Sequence, residues 1–315
     1  MPTQIHLKGK SITLKHKYPF RFGIISDLQV GAQHGIHPAE FVDVISGQPY
    51  PLNEAQKVLL GYLDNFINRL NEFKVMGLFV IGDVISGQNW YERGRYEMYV
   101  DMEIQTLACA TLLTNICKRV PSLEVVILWQ GTPYHGSRDT SVEQSVAGKL
   151  RNLLRGVKTK NKIEVIYAGE YSYIPLEFDG KKRIIWVAHH ASGGFVYPAG
   201  GVERDLREFL VKIGEKRLQP IHFVIRAHKH DYIEVHKAGI RGLMLPCWQF
   251  FVPYPQAIKR YPFYQPCIGG VILLVDEELR FRPWHFTYPN VEDPLKFIVF
   301  KKSPYGVHKQ RLSKK

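Results

Sequence analysis

The sequence predicts an α/β fold. Three observations carry that reading: short apolar runs of strand length, amphipathic stretches between the first of them, and polar clusters where those runs stop. Helices between the early strands require crossover connections, and the strand-crowded second half requires a further, mixed sheet.

Residues 21–29 (RFGIISDLQ) are apolar and end in a polar cluster, the pattern of a buried strand. Over residues 53–73, Val58, Leu59, Tyr62, Leu63, Phe66, Ile67 and Leu70 recur at helical spacing. Residues 77–82 (GLFVIG) form a second buried strand that runs into Asp83. A long helix fits residues 97–118, and a third strand, 123–129, stops just before Gly131. Residues 141–155 read as a helix, with Ser141 as N-cap and Gln144 at the capping-box position. Strands then crowd together at 163–167, 171–178 and 183–188, the last ending in His189-His190. A helix at 203–213 precedes strands at 221–226, 232–236, 243–245 and 271–275.

The 315 residues are 45% hydrophobic and 23% charged, which excludes a disordered or fibrous chain. Forty-two Lys+Arg against 29 Asp+Glu leave +13, a balance that favours anionic partners such as nucleic acid. Seven of those positive charges sit without any acid in residues 294–315. No Gly/Ser- or Pro-rich linker divides the chain, so residues 1–293 read as one domain and 294–315 as a basic tail. Four scattered cysteines (Cys109, Cys117, Cys247, Cys267) suit neither a disulfide scaffold nor a CxxC zinc site, and point to a reducing compartment. The first twenty residues hold lysines without an apolar block, and no run has bilayer length. The expectation is a soluble, cytoplasmic protein with no membrane partner.

Five strand ends carry chemistry: Asp27-Leu28-Gln29, Gly82-Asp83, Gly131-Thr132-Pro133-Tyr134-His135, His189-His190 and His228-Lys229-His230. In open α/β sheets ligands bind at that edge, where loops converge on a rigid frame. Two carboxylates, an amide and several imidazoles suit divalent Mn, Fe, Zn or Ni better than Ca or Mg alone. Each piece has an ordinary reading. An Asp after a strand is a common turn former, and His-x-His on a continuing strand is a solvated face. His6, His16, His34, His37, His222, His236, His285 and His308 read as surface or packing residues. Five such clusters in one succession exceed what turn chemistry supplies.

That succession resembles the calcineurin-like metallophosphoesterase family, whose blocks run D-x-H, G-D, G-N-H-[DE], a lone His after a strand, and G-H-x-H. Here Gln29 replaces the first His, Gly82-Asp83 matches, and Thr132 stands where Asn belongs, with His135 two residues late. His189 and Ala227-His228-Lys229-His230 complete the series, over residues 21–233. The resemblance implies a four-layer α/β/β/α sandwich of two mixed sheets and two divalent cations, manganese first, with Fe, Ni or Zn as the others. It assigns Asp27, Gln29, Asp83 and His230 to one cation. Asp83, His189, His228 and, weakly, Thr132 go to the other, and His135 is the proton donor to the leaving oxygen.

The function so implied is hydrolysis of a phosphoester, with a nuclease-like reaction on DNA or RNA placed first because of the charge. Trp90, Arg93 and Arg95, following Asp83, are candidate contacts for a base or phosphate, and could equally cap a helix start. The aromatic stretch 248–264 reads as a base-stacking loop or as a strap on the core. Two alternatives stand beside the nuclease: an enzyme acting on small phosphoesters or nucleotides, and a non-catalytic nucleic-acid-binding protein with a decayed metal site. Asp139 reads as a loop aspartate rather than a partner of His135.

Overall fold

A strand buried on both faces must be apolar at nearly every position, because neither set of alternating side chains meets water. The computed structural model describes residues 3–16, 19–42, 47–88, 96–136, 141–190, 199–250 and 265–291. Its elements in chain order are β1 (Gln4–Lys8), β2 (Ser11–Lys15), β3 (Arg21–Ser26), α1 (Glu54–Glu72), β4 (Gly77–Ile81) and α2 (Met102–Arg119). They continue with β5 (Val125–Trp129), α3 (Val142–Arg155), β6 (Glu164–Tyr167), β7 (Tyr171–Phe178), β8 (Lys181–Ala188) and α4 (Gly200–Gly214). The last are β9 (Phe223–Arg226), β10 (Ile233–Lys237), β11 (Ile240–Met244), β12 (Ile268–Val275) and β13 (Phe281–Tyr288).

Two mixed sheets result, one ordered β13-β12-β3-β4-β5-β6 and the other β1-β2-β7-β8-β9-β11-β10. Strands β3 to β6 run parallel, and so do β8, β9 and β11. Alternation along β4 sends Phe79 and Ile81 between the sheets, where they meet Trp129, Ile185, Val187 and Phe223. Leu78 and Val80 point the other way, into a core shared with Leu63 and Phe66 of α1, Leu113 of α2 and Val146 of α3. A third core holds Val202 and Leu206 of α4 against Trp186, Val224 and Met244. Three cores between four layers make the α/β/β/α sandwich that the sequence resemblance implies.

Strands β1, β2 and β13 escape sequence reading. Both β1 and β13 lie at sheet edges, and Trp284 of β13 is 52% exposed, so neither strand has the continuous apolar run of a central one. The helix expected from residue 97 begins at Met102, because the Asp101 side chain accepts the Glu103 and Ile104 N–H groups. Ser141 precedes α3 but makes no side-chain cap; its hydroxyl donates to Glu143 Oε2 instead, so the expected box with Gln144 does not form. No helix among the described residues is long and apolar enough to cross a membrane. Trp90, Arg93, Arg95, Asp139, most of the aromatic stretch (251–264) and the basic tail (294–315) lie outside the described residues.

Candidate metal centre

The parallel strands β3 and β4 end side by side, and the loops after them leave together. Asp27 N donates to Gly82 O (3.1 Å), Gln29 N to Asp83 O (3.2 Å) and Gly82 N to Trp129 O (3.1 Å). Across the second sheet, Ala227 N donates to His189 O (3.0 Å), which sets the ends of β8 and β9 together. The carboxyl ends of both sheets therefore open on one spot.

Ten non-glycine residues of the described chain have left-handed backbone, and five are here: Asp27 (50°), Gln29 (49°), Asp83 (46°), His228 (75°) and His230 (53°). Such conformations are sparsely populated for side-chain-bearing residues and are maintained only where surrounding structure imposes them. Each turns its side chain inward at the point where the strand stops. Glycines admit the close approach: a Cβ on Gly82 would lie 2.3 Å from His189 Cγ, and one on Gly131 2.2 Å from Asp83 N and Oδ1. Gly131→Ala should therefore displace Asp83, cost about 1–3 kcal/mol of stability as overpacking does, and weaken cation binding. Thermal melts with and without Mn(II) check both effects.

The structure brings together all seven residues expected as ligands, with His135 beside them. Asp27, Asp83 and His189 form the floor, each about 1% exposed or less. His189 Nε2 lies 2.9 Å from Asp83 Oδ2 and 3.7 Å from Asp27 Oδ1. At the solvent side stand His228, whose Nδ1 is 3.7 Å from Asp83 Oδ2, and His230, whose Nε2 is 3.2 Å from Asp27 Oδ1. His135 joins the same side, its Nε2 3.8 Å from Asp83 Oδ2 and 3.4 Å from Gln29 Nε2. Its Nδ1 is 2.8 Å from the Ser86 carbonyl, which orients the ring. Thr132 enters as a donor, giving Asp83 Oδ1 its N–H at 2.6 Å and reaching both carboxylate oxygens with its hydroxyl at 3.0 and 3.1 Å. His190 turns aside, its ring 4.8 Å from that of His228. Arg226, paired with Asp205 at 2.7 Å, donates to the His190 carbonyl and holds that turn.

Electrostatics follow from putting charges in a dry floor. Burial alone would raise both carboxyls, but positive charge on His189 and its neighbours outweighs it and holds Asp27 and Asp83 below the usual range, Asp83 well below. Burial likewise opposes charge on His189, yet Asp83 and Asp27 raise it to about 10. His228, nearer the mouth, is lowered chiefly by burial.

The donor set fits a divalent cation. His189 Nδ1 bonds the Ile81 carbonyl at 2.9 Å, while its buried Nε2, between two carboxylates, has the alignment of a hydrogen bond to neither. An imidazole held through one nitrogen by a backbone carbonyl and presenting the other to carboxylates is the arrangement of a metal ligand. One ligand atom each from Asp83, His189 and His228 lie within 4.8 Å of one another.

Three site neighbours went unread in the sequence. His34, a surface or packing residue by sequence, is buried beside the cluster and hydrogen-bonds the Gln249 side chain; burial pushes it down to about 3. Gln249 itself reaches His230. Glu143 of α3 is buried, and burial with the Asp83 charge raises it to about 7. None has a spacing that marks it: His34 lies in a loop, Gln249 comes after β11, and Glu143 looks like any first-turn helix acid.

No protein-family model and no curated protein sequence matches the chain. Among solved structures it is similar to an archaeal phosphodiesterase (14% identity, 85% of this chain and 100% of that one, TM-score 0.36). It is also similar to Vps29 complexed with zinc from Entamoeba histolytica (11% identity, 85% and 99%, TM-score 0.33). GAP50, the anchor in the inner membrane complex of Plasmodium, is a third (9% identity, 88% and 91%, TM-score 0.40). At those scores the likenesses add nothing to what the site itself supports.

Proposed function

We propose that this chain is a metal-dependent phosphoesterase of the calcineurin-like kind, acting on phosphodiesters and in a nuclease-like manner. One observation carries the reading: two buried carboxylates from adjacent strand ends face three imidazoles from the other sheet, with His189 Nε2 unbonded between them. Asp27, Gln29, Asp83 and His230 would hold one divalent cation, and Asp83, His189 and His228 a second, Asp83 serving both. Thr132 supports Asp83 through its two donors rather than as a free ligand. Manganese is the cation we put first, with Fe, Ni or Zn as the others suited to mixed oxygen and nitrogen donors. Paired divalent cations supply charge for a phosphoryl oxygen and a water acidic enough to attack near neutral pH.

The chain's own contribution is placement. The carboxylates lie at the bottom, while His135, His228 and His230 keep 18–24% of their side chains exposed, so a phosphoryl group approaches across imidazoles. With Nδ1 committed to Ser86, His135 offers Nε2 alone to the reaction, the atom from which a proton passes to the leaving oxygen. The net charge of +13 favours a polyanionic substrate, DNA or RNA.

Bound metal is measured first, then hydrolysis of a chromogenic phosphodiester and monoester with Mn, Ni, Zn and Mg. His135→Ala should keep the metal and lose diester turnover about 100-fold or more, the scale of a lost general acid. Deleting residues 294–315 should weaken cleavage of nucleic acid and flatten its salt dependence while sparing the small diester. No metal and no turnover would remove the enzyme reading and leave the binding protein.

A further inference from the structure

Sheet order and register place positive charge on both sides of the candidate centre. Strand β2 pairs with β7 through Ser11 and Tyr173, and β7 pairs with β8 through Tyr171 and Ala188. The turn Lys8-Gly9-Lys10 therefore lies at the end of the sheet where β8 delivers His189. Two strand spacings, about 10 Å, separate β2 from β8.

Lys10 is fixed at that edge. Its carbonyl accepts the Tyr173 N–H at 2.8 Å, and its Nζ stands 4.9 Å from the centre of the Tyr171 ring. A Cβ on Gly169 would come within 3.1 Å of that Nζ, and the Gly169 carbonyl accepts the N–H of Gln130, the residue before Gly131. Lys10 thus borders the strand ends of both sheets. Among the described residues neither Lys8 nor Lys10 pairs with a carboxylate, the exposed Glu170 beside Gly169 included. Residues 1–26 contain no acid at all.

The opposite flank is built by β13. It pairs antiparallel with β12, which pairs antiparallel with β3, so Tyr288 lies at the end where Asp27 follows β3. Two strand spacings again separate β13 from β3. Phe281 of β13 meets Phe223 of β9 at 4.9 Å, whereas Trp129 of β5 donates to Ser172 of β7 at 2.8 Å. The two sheets therefore run in the same order, with β13 and the lysine turn on opposite sides of the site. Tyr62 donates to Pro289 O (3.1 Å) and Asn290 to Pro266 O (2.6 Å), which fixes where the chain leaves that edge. The seven cations of residues 294–315 follow Glu292 and Asp293.

We propose that a polynucleotide backbone crosses the candidate centre along this edge, held on one side by Lys8 and Lys10 and on the other by residues 294–315. The inference rests on the phosphodiester reading above and gives its substrate a path. Cations on two sides of a recessed cluster suit a linear polyanion whose charges repeat along its length.

The test is binding of a fluorescent single strand of about 20 nucleotides, longer than an ordinary single-strand site. It is measured by anisotropy on the full-length protein in chelator, from about 50 to 200 mM salt. Each lysine–phosphate contact removed lowers the log–log salt slope by about 0.7, so Lys8→Gln/Lys10→Gln should flatten it by about 1.4. Lys15→Gln/Lys182→Gln removes the same charge at the far end of the same sheet and should leave the slope as in wild type. Deleting residues 294–315 as well as Lys8 and Lys10 charge should flatten it further than either change alone. Equal slopes for the two lysine pairs would mean that net charge alone holds the strand, and would overturn the proposal. So would a slope unaltered by Lys8→Gln/Lys10→Gln or by the deletion, or polyglutamate bound as tightly as the strand. With chelator present, a failure to load Mn(II) or to turn over sinks the phosphoesterase reading without touching this measurement. A wild type that binds Mn(II) but not the strand sinks the path alone.

Discussion

Asp83→Asn should lower cation affinity by more than about 100-fold, beyond the 10–100-fold lost when a residue that only orients a ligand is removed. Asp83 is 1% exposed and stands within 3.8 Å of His135, His189 and His228, which come from both sheets. Asparagine keeps the shape and loses the charge. The same change has a second readout. The Asp83 and Asp27 carboxylates raise His189 to about 10 against burial, so near pH 7 the metal-free protein carries a proton on Nε2. A cation can take that nitrogen only as the proton leaves. Wild type should release a proton on binding at pH 7, seen as a calorimetric heat that varies with the ionisation enthalpy of the buffer. In Asp83→Asn the release should shrink, because the largest positive contribution to the His189 pKa is gone. Unchanged affinity in Asp83→Asn would place the metal elsewhere.

Glu143→Gln should stabilise the metal-free protein at pH 8 and leave it unchanged near pH 4. Glu143 is 2% exposed, has one oxygen without a partner and feels the Asp83 charge, so its pKa rises from an ordinary 4.5 to about 7. A carboxyl whose folded pKa is raised binds its proton more tightly in the folded state. Its favourable contribution is complete below about pH 4.5 and is lost as pH climbs through 7. The change from 4.5 to about 7 corresponds to about 3 kcal/mol of stability, as an order of magnitude. Glutamine, never charged, avoids that loss and still accepts from Ser141. Urea unfolding of both proteins in chelator from pH 4 to 8 should show two curves that coincide in acid and separate above pH 5. Parallel curves would mean that Glu143 stays ionised with a partner.

Central strands are legible because burial on both faces leaves no choice of residue type: GLFVI of β4 and VVILW of β5 are buried throughout. Asp27, Asp83, His189, His228 and His230 could be singled out for a related reason. Each follows the last residue of a strand, or lies two to four residues beyond it, where apolar sequence gives way to polar groups within a few positions. The structure brings these residues to one spot, and the metals and reaction assigned to them stand as the proposals tested above.

The edge strands β1 and β13 were not legible, since a strand with one wet face and an open edge has no continuous apolar run. Nor was the setting of His34, Gln249 and Glu143. Their position depends on backbone pairing between distant segments, such as Phe250 N to His34 O, and on α3 packing into the core beside β4 and β5. The sequence by itself determined the layered α/β class and the polar residues at the strand ends, because burial and strand period are local constraints. Only the tertiary structure decided which nitrogen of each imidazole faces a carboxylate, and which neighbours hold it there. Those choices are made by hydrogen bonds between residues 19 to 203 positions apart, with no period along the chain.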